Sequence, residues 1–282
     1  MSVKDLIDIL PKEYKFKVID VKPEWFDWGL ISEYQKLPES FIEKHKDRVN
    51  WDNISAFQKL SEPFIEKFKD RVNWDYISAT QKLSESFIEK HRDRVNWDLI
   101  SECQKLSEKF IEKHADEVDW YRISRHQELS ESFFSKYKNK IKWSAVSLRE
   151  DLSESFIEKY KSLLDLNDIL TRHKLSESFL ERNKDILDWN LVSKYQVLSE
   201  KFIERHMDRL DWELVSKYQK LSEDFIDKHK DKVDWVYISR YQKLSEEFIE
   251  KHRNLVHWGL IFKHQSLSEE FKKKYQHKLQ YF

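Results

Sequence analysis

A chain of 282 residues could hold one or two globular domains, but two Gly and four Pro are too few for an all-β or loop-rich fold. Charged residues make up 37% and nearly cancel, to a formal net charge of -1, which argues against a uniformly basic nucleic-acid coat and against an acidic DNA mimic. The single cysteine, Cys103, excludes an intrachain disulfide framework and fits a reducing compartment.

The chain begins MSVKDLIDILPKEYK, too acidic and with too short an apolar stretch to read as a signal peptide. No apolar run approaches the ~20 residues of a membrane span. The expected home is the cytoplasm. The following stretch, YKFKVIDVKPEWFD, keeps Val18 and Ile19 where later copies carry Phe and Ile, and has otherwise lost the pattern. Residues 1–27 are therefore expected to cap an array that begins at Trp28. From Leu37 to Leu267, Leu recurs eleven times at a spacing of 23 residues without a slip. A period of that length marks stacked supersecondary units.

Numbering each unit from its Leu, position 2 is Ser in every copy but Pro38, and position 3 is always Glu. Ser fits an N-cap, and the Glu beside it suits the helix dipole. Positions 1 and 6, Leu and usually Ile, stand where a hydrophobic staple needs them. Phe at 5, His or an aromatic at 9 and Val or Leu at 13 share one face, so the pattern predicts a helix A over roughly positions 3–13. Position 14, mostly Asn or Asp, is a second N-cap, with a second staple between 13 and 18. Trp at 15 then opens a helix B of about two turns, ending near position 23. Helices this short need neighbours to cover their apolar faces.

A continuous coiled coil is excluded because 23 residues fit no whole number of heptads and two caps interrupt each unit. The prediction is an all-α fold, an α-solenoid (superhelix) of about eleven two-helix repeats with one longer and one very short helix per unit. Residues 28–271 form the array and 272–282, KKKYQHKLQYF, a basic C-terminal cap. The whole is expected to be one continuous elongated domain, roughly 100 Å long.

The unit LSESFIEKH, a short charged stretch and then NWDxIS, resembles tandem helical repeats in functionally unassigned proteins of phages and large DNA viruses. The resemblance covers about residues 28–271. It implies a viral or mobile-element origin and an interaction role, and carries no catalytic residues. In format the unit also resembles leucine-rich variant repeats, although the sequence does not match them.

Each chemical signal has a scaffold reading beside it. His45, His91, His114, His206, His229 and His252 share position 9, but neighbouring copies roughly 10 Å apart cannot place several imidazoles on one ion. Packing between helices with one satisfied ring nitrogen is the better reading. Pairs such as Glu85 and Glu89 recur beside Lys on a polar face, as dipole-compensating and solvating charges. Cys103 lacks a repeated basic partner, and Gly is too scarce for a phosphate cradle. No enzyme, cofactor or metal site is expected. The Trp column could serve as a base-stacking platform, but its constant place beside an N-cap favours packing between repeats. Ser at 19 and Gln at 22 are expected to satisfy polar groups between neighbouring helices.

Function is sought where the copies differ. Positions 16, 17, 20 and 21 vary most and form one stripe on helix B, the form in which a solenoid presents a recognition surface. Early copies carry Asp52, Asp75 and Asp98 there. Late copies carry Lys194 with Tyr195, Lys217 with Tyr218, Arg240 with Tyr241, and Lys263 with His264. Together with Tyr76, Arg125, His126, Arg149 and Arg172, these are the candidate partner-binding residues, and a protein is the expected partner. Nucleic-acid binding through the basic–aromatic C-terminal half is the alternative, and a structural spacer or virion component a third. The repeat breaks once, near 143–173, where Leu166 replaces Trp, Leu170 replaces Ser, and Glu150 then His173 replace Gln. Such coordinated loss points to altered packing, with a change of curvature or a specialised contact, or to bland local repacking.

Overall fold

The computed structural model describes residues 27–281, so the cap expected over 1–27 lies outside the described residues except for Asp27. Among the described residues the chain forms 22 α-helices and no strand. Helices opened by Glu alternate with helices opened, save once, by Trp, in an α-solenoid of tandem 23-residue units. The chain divides into two compact units, Met1–Ala145 and Val146–Phe282, and the division falls inside the stretch 143–173 where the motif breaks.

The repeat Leu83–Lys105 shows how the sequence makes its helices. Ser84 Oγ accepts the Phe87 N–H at 3.2 Å, and Asn96 Oδ1 accepts the Leu99 N–H at 3.2 Å, so both predicted caps are in place. Leu83 with Ile88, and Val95 with Ile100, are buried at the staple positions. Pro38, without a hydroxyl, holds the extended cap backbone but makes no side-chain cap bond.

Helix A is shorter than the sequence predicts, and the two helices are nearly equal. Glu85–Lys90 spans six residues and Trp97–Cys103 seven. Two competing hydrogen bonds stop helix A. A continued helix would donate the Asn96 N–H to the Arg92 carbonyl. Instead that N–H goes to Ser78 Oγ of the preceding unit at 3.0 Å, and the carbonyl accepts the Trp97 indole N–H at 3.0 Å. His91 leaves the helical region at φ -113°, ψ 27°, and one last turn closes as the Arg94 and Val95 N–H groups donate to its carbonyl at 2.8 and 3.0 Å.

Neighbouring units are tied at each layer. Ser101 Oγ, fully buried, donates to the Trp97 carbonyl at 2.7 Å and accepts the Asp119 N–H at 3.0 Å. Gln104 reaches back one unit with its amide nitrogen, which donates to the Ser78 and Gln81 carbonyls at 2.8 and 2.7 Å, while its oxygen accepts the N–H of Leu83, the first residue of its own unit, at 3.1 Å. The Ser and Gln columns thus satisfy polar groups between B helices, as expected. Trp97 stacks on Phe110 of the next unit (ring centroids 6.2 Å apart) and lies 4.9 Å from the His114 ring, so the Trp column is packing.

On the A side, the Glu85 carboxylate accepts the Ser107 N–H, and Glu89 Oε2 meets His114 Nε2 at 2.6 Å and Lys113 Nζ at 2.9 Å. These carboxylates therefore join successive units, a role beyond the solvating one expected for them. His91, His114, His206, His229 and His252 each face a carboxylate of the preceding unit, in keeping with the packing reading, whereas His45 Nε2 has no hydrogen-bond partner among the described residues.

At the C-terminal end, helix Glu269–Tyr275 runs into a 3₁₀ segment, Gln276–Tyr281, that packs against the helix Trp258–His264. Tyr275 stacks on Trp258 with centroids 4.5 Å apart, and Trp258 is buried where the indoles of other copies are half-exposed. At the break, helix Trp143–Ser147 has only five residues. Leu170 is buried in place of the bridging Ser, and His173 substitutes for Gln by placing Nε2 2.8 Å from the Arg149 carbonyl. Gln196 resumes the ladder on the Leu170 and His173 carbonyls at 2.7 and 2.9 Å.

Candidate functional site

Helix B buries positions 18 and 19, which turns 16, 17, 20 and 21 outward. In the late copies this face becomes a ladder of cations and tyrosine rings. Lys194 Nζ lies 4.8 Å from the Tyr195 ring and 5.8 Å from that of Tyr218. Lys217 Nζ lies 5.1 Å from Tyr218, 5.1 Å from Tyr237 and 6.0 Å from Tyr241. The Arg240 guanidinium sits 5.1 Å from Tyr241, whose ring lies 6.0 Å from that of Tyr237. Each cation thus stands within cation–π range of a ring on its own unit, and the two lysines also reach rings on the next.

Tyr218 and Tyr241 remain 44% and 45% exposed, so the rings are presented to solvent. Lys263 and His264 continue the exposed face one unit further. Among the described residues, none of Lys194, Lys217, Arg240 and Lys263 forms an ion pair with a carboxylate. The Tyr195 hydroxyl beside Lys194 and the Tyr218 hydroxyl beside Lys217 hold both ammonium groups above the ordinary lysine value. Glu213 accepts the Tyr237 hydroxyl at 3.1 Å and raises its pKa by that bond and by its charge. The ladder therefore keeps its ammonium groups charged at neutral pH, and the Glu213 carboxylate beside it accepts from Tyr237.

The early copies are different. Asp52 and Asp75 accept from Asn73 Nδ2 and Asn96 Nδ2, each at 2.8 Å. Arg122 bridges Glu102 and, at 3.9 Å, Asp98. These side chains are all bound between units, Asp98 and Glu102 by an ion pair and Asp52 and Asp75 by a neutral amide. Tyr76 and His126 are exposed, whereas Arg125 is half-buried with Nη1 lacking a hydrogen-bond partner.

Arg149 departs from the sequence expectation. It is only 9% exposed, and its Nε and Nη2 donate to the two Asp151 oxygens at 2.9 and 2.6 Å. That fork takes the guanidinium off the exposed face and holds the Asp151 carboxyl below the usual range. Arg172 stays exposed, 3.7 Å from Glu150. Tyr237 and Glu213 were missed as site residues. The signal for Tyr237 was its place four residues before Tyr241, which puts the two on one face of a helix.

Among the described residues, no group of His, Cys, Asp and Glu is placed to hold a metal ion, and no helix is long and apolar enough to cross a membrane. Comparison of the chain with protein-family models, curated proteins and solved structures finds no match.

Proposed function

We propose that this protein is a repeat scaffold that captures a partner protein through the cation–tyrosine ladder of its later B helices. Following the resemblance of its unit to viral and phage repeats, we propose that the partner is a host factor, such as a defence or regulatory protein, met in the host cytoplasm. The observation that carries the reading is the alternation of cations without carboxylate partners and exposed tyrosine rings, on a scaffold where other charges such as Lys113 with Glu89 and Lys228 with Glu204 pair between units. Exposed Tyr supplies contact area at low entropic cost, and both Tyr and Arg are enriched at protein interfaces.

Nucleic acid fits the ladder less well. Helices packed at ~8–10 Å offer one cation per repeat, against a duplex that carries one negative charge per ~1.7 Å of axis.

Replacing Lys194, Lys217 and Arg240 by Glu should leave the circular dichroism unchanged and abolish partner capture from the natural host. Undiminished capture by the folded triple variant refutes the proposal. Filter binding over a salt series examines the nucleic-acid reading, which fails if nothing binds at low salt.

A further inference from the structure

The ladder has a fixed pitch, and the pitch selects a ligand geometry. The Tyr218 ring lies 5.8 Å from Lys194 Nζ and 5.1 Å from Lys217 Nζ, so the two ammonium groups stand at most about 11 Å apart, in keeping with helices packed at ~8–10 Å. An extended chain rises ~3.1–3.3 Å per residue, so three residues span that step. In a polyproline II helix, with three residues per turn, every third side chain also faces the same way. A β-strand alternates faces and would turn every second such side chain away.

The chemistry of the ladder agrees with this geometry. Flat, exposed rings between the cations are the surface on which proline-rich extended chains dock. The cations lack carboxylate partners of their own among the described residues, and Glu213 is occupied by Tyr237. The exposed strip carries one cation in each successive unit, and only Tyr237 and Tyr241 double the ring. A bare extended chain can present one side chain to each of these cations, whereas an α-helix is ~10–12 Å across and would bring a residue back to the same pitch only at every seventh position.

We propose that the stripe binds an extended, polyproline II segment of its partner with a carboxylate at every third residue. This rests on the reading that the stripe binds a protein. Lys194, Lys217, Arg240 and Lys263 would each meet one carboxylate, and the intervening residues would lie on Tyr195, Tyr218 and Tyr241. The four-cation register corresponds to about ten residues of ligand.

The test uses the full chain and two labelled peptides of identical composition, read by fluorescence anisotropy. One is Glu-Pro-Pro repeated four times; the other carries its four Glu contiguously, followed by the prolines. The ordered peptide should bind roughly tenfold more tightly, since several weak surface contacts then act in one register. Changing Lys194, Lys217 and Arg240 to Gln should erase that preference at unchanged circular dichroism. Lys217→Met alone keeps the stem over Tyr218 and supplies the same comparison if the triple variant loses helicity.

Equal affinity for the two peptides overturns the proposal, as does tighter binding of oligo-dT or of a helical peptide with Glu at every seventh residue. If neither peptide binds while partner capture remains sensitive to charge reversal, the spacing rule falls and the binding role of the stripe survives.

Discussion

Gln104→Ala tests whether the glutamine ladder ties the units together. The side chain satisfies three buried backbone groups at the boundary with the preceding unit: the Ser78 and Gln81 carbonyls of that unit and the Leu83 N–H that opens its own. A hydrogen bond contributes ~0.5–1.5 kcal/mol net, and a buried group left without a partner costs ~1–3 kcal/mol, so losing all three bonds should weaken this junction by about 3 kcal/mol. At ~1.4 kcal/mol per factor of ten, that is roughly a hundredfold in the opening equilibrium. A single global unfolding transition is the wrong readout, because repeat arrays lose cooperativity when one junction is weakened. Amide hydrogen exchange is local. The Leu83 N–H should lose about two decades of protection, while the Leu106 N–H, donated to Gln127 Oε1 at 3.1 Å, should change far less. Leu83 exchange within about threefold of the unsubstituted protein would refute the argument, as would an equal loss at both amides.

Three further outcomes follow from the same bonds. Ser101→Ala removes the hydroxyl that accepts the Asp119 N–H and should lower stability by ~1–2 kcal/mol in urea unfolding, with little change if Asp119 finds another acceptor. Lys90 and then His91 hold the Glu66 carboxyl at about 2 rather than 4.5, and His206 and then Lys184 hold Glu181 at about 2. Because these folded-state values are depressed, the stability they contribute is present above the ordinary carboxylate value and lost as pH falls through the folded one. Carboxyl-carbon NMR titration should show both midpoints near 2, and midpoints at 4.5 would exclude the pairing. In Arg149→Ala, the Asp151 carboxyl should move back up towards its ordinary range, and stability should fall by only ~1 kcal/mol for the lost fork, because Asp151 is itself exposed to solvent. An unmoved Asp151 titration would show that Arg149 is not its main partner.

Local signals carried most of the fold. Caps and staples depend on residues within five positions of one another, so Ser84 with Phe87 and Asn96 with Leu99 are legible in the sequence. The early end of helix A was not, because the group that diverts the Asn96 N–H, Ser78, lies one unit back. The Glu column was underestimated for the same reason. Glu66 faces Lys90 and His91 across 24 and 25 residues, and a polar face read along one helix does not show its neighbour. In the site, the cation and tyrosine pattern was readable because it repeats in register. Arg149 left that pattern because Asp151, two residues on, accepts its guanidinium, and a column comparison of unlike copies does not weigh neighbours along the chain.

Every tie between units has a constant offset. Ser32 to Asn50 spans 18 residues, Leu37 to Gln58 spans 21, Glu39 to Ser61 spans 22 and Glu89 to His114 spans 25. The Leu–Gln span closes within one unit and the other three each cross one unit boundary, so duplicating or deleting a regular unit leaves all of them satisfied at the new junction. An insertion of any other length would misplace Ser, Gln, Glu and Trp together. The gene can therefore change its number of regular copies without redesigning their contacts, while being intolerant of small insertions within a copy. Under the proposed docking geometry, such changes would lengthen or shorten the recognised segment in steps of three residues, so the ligand range of this protein would evolve by counting.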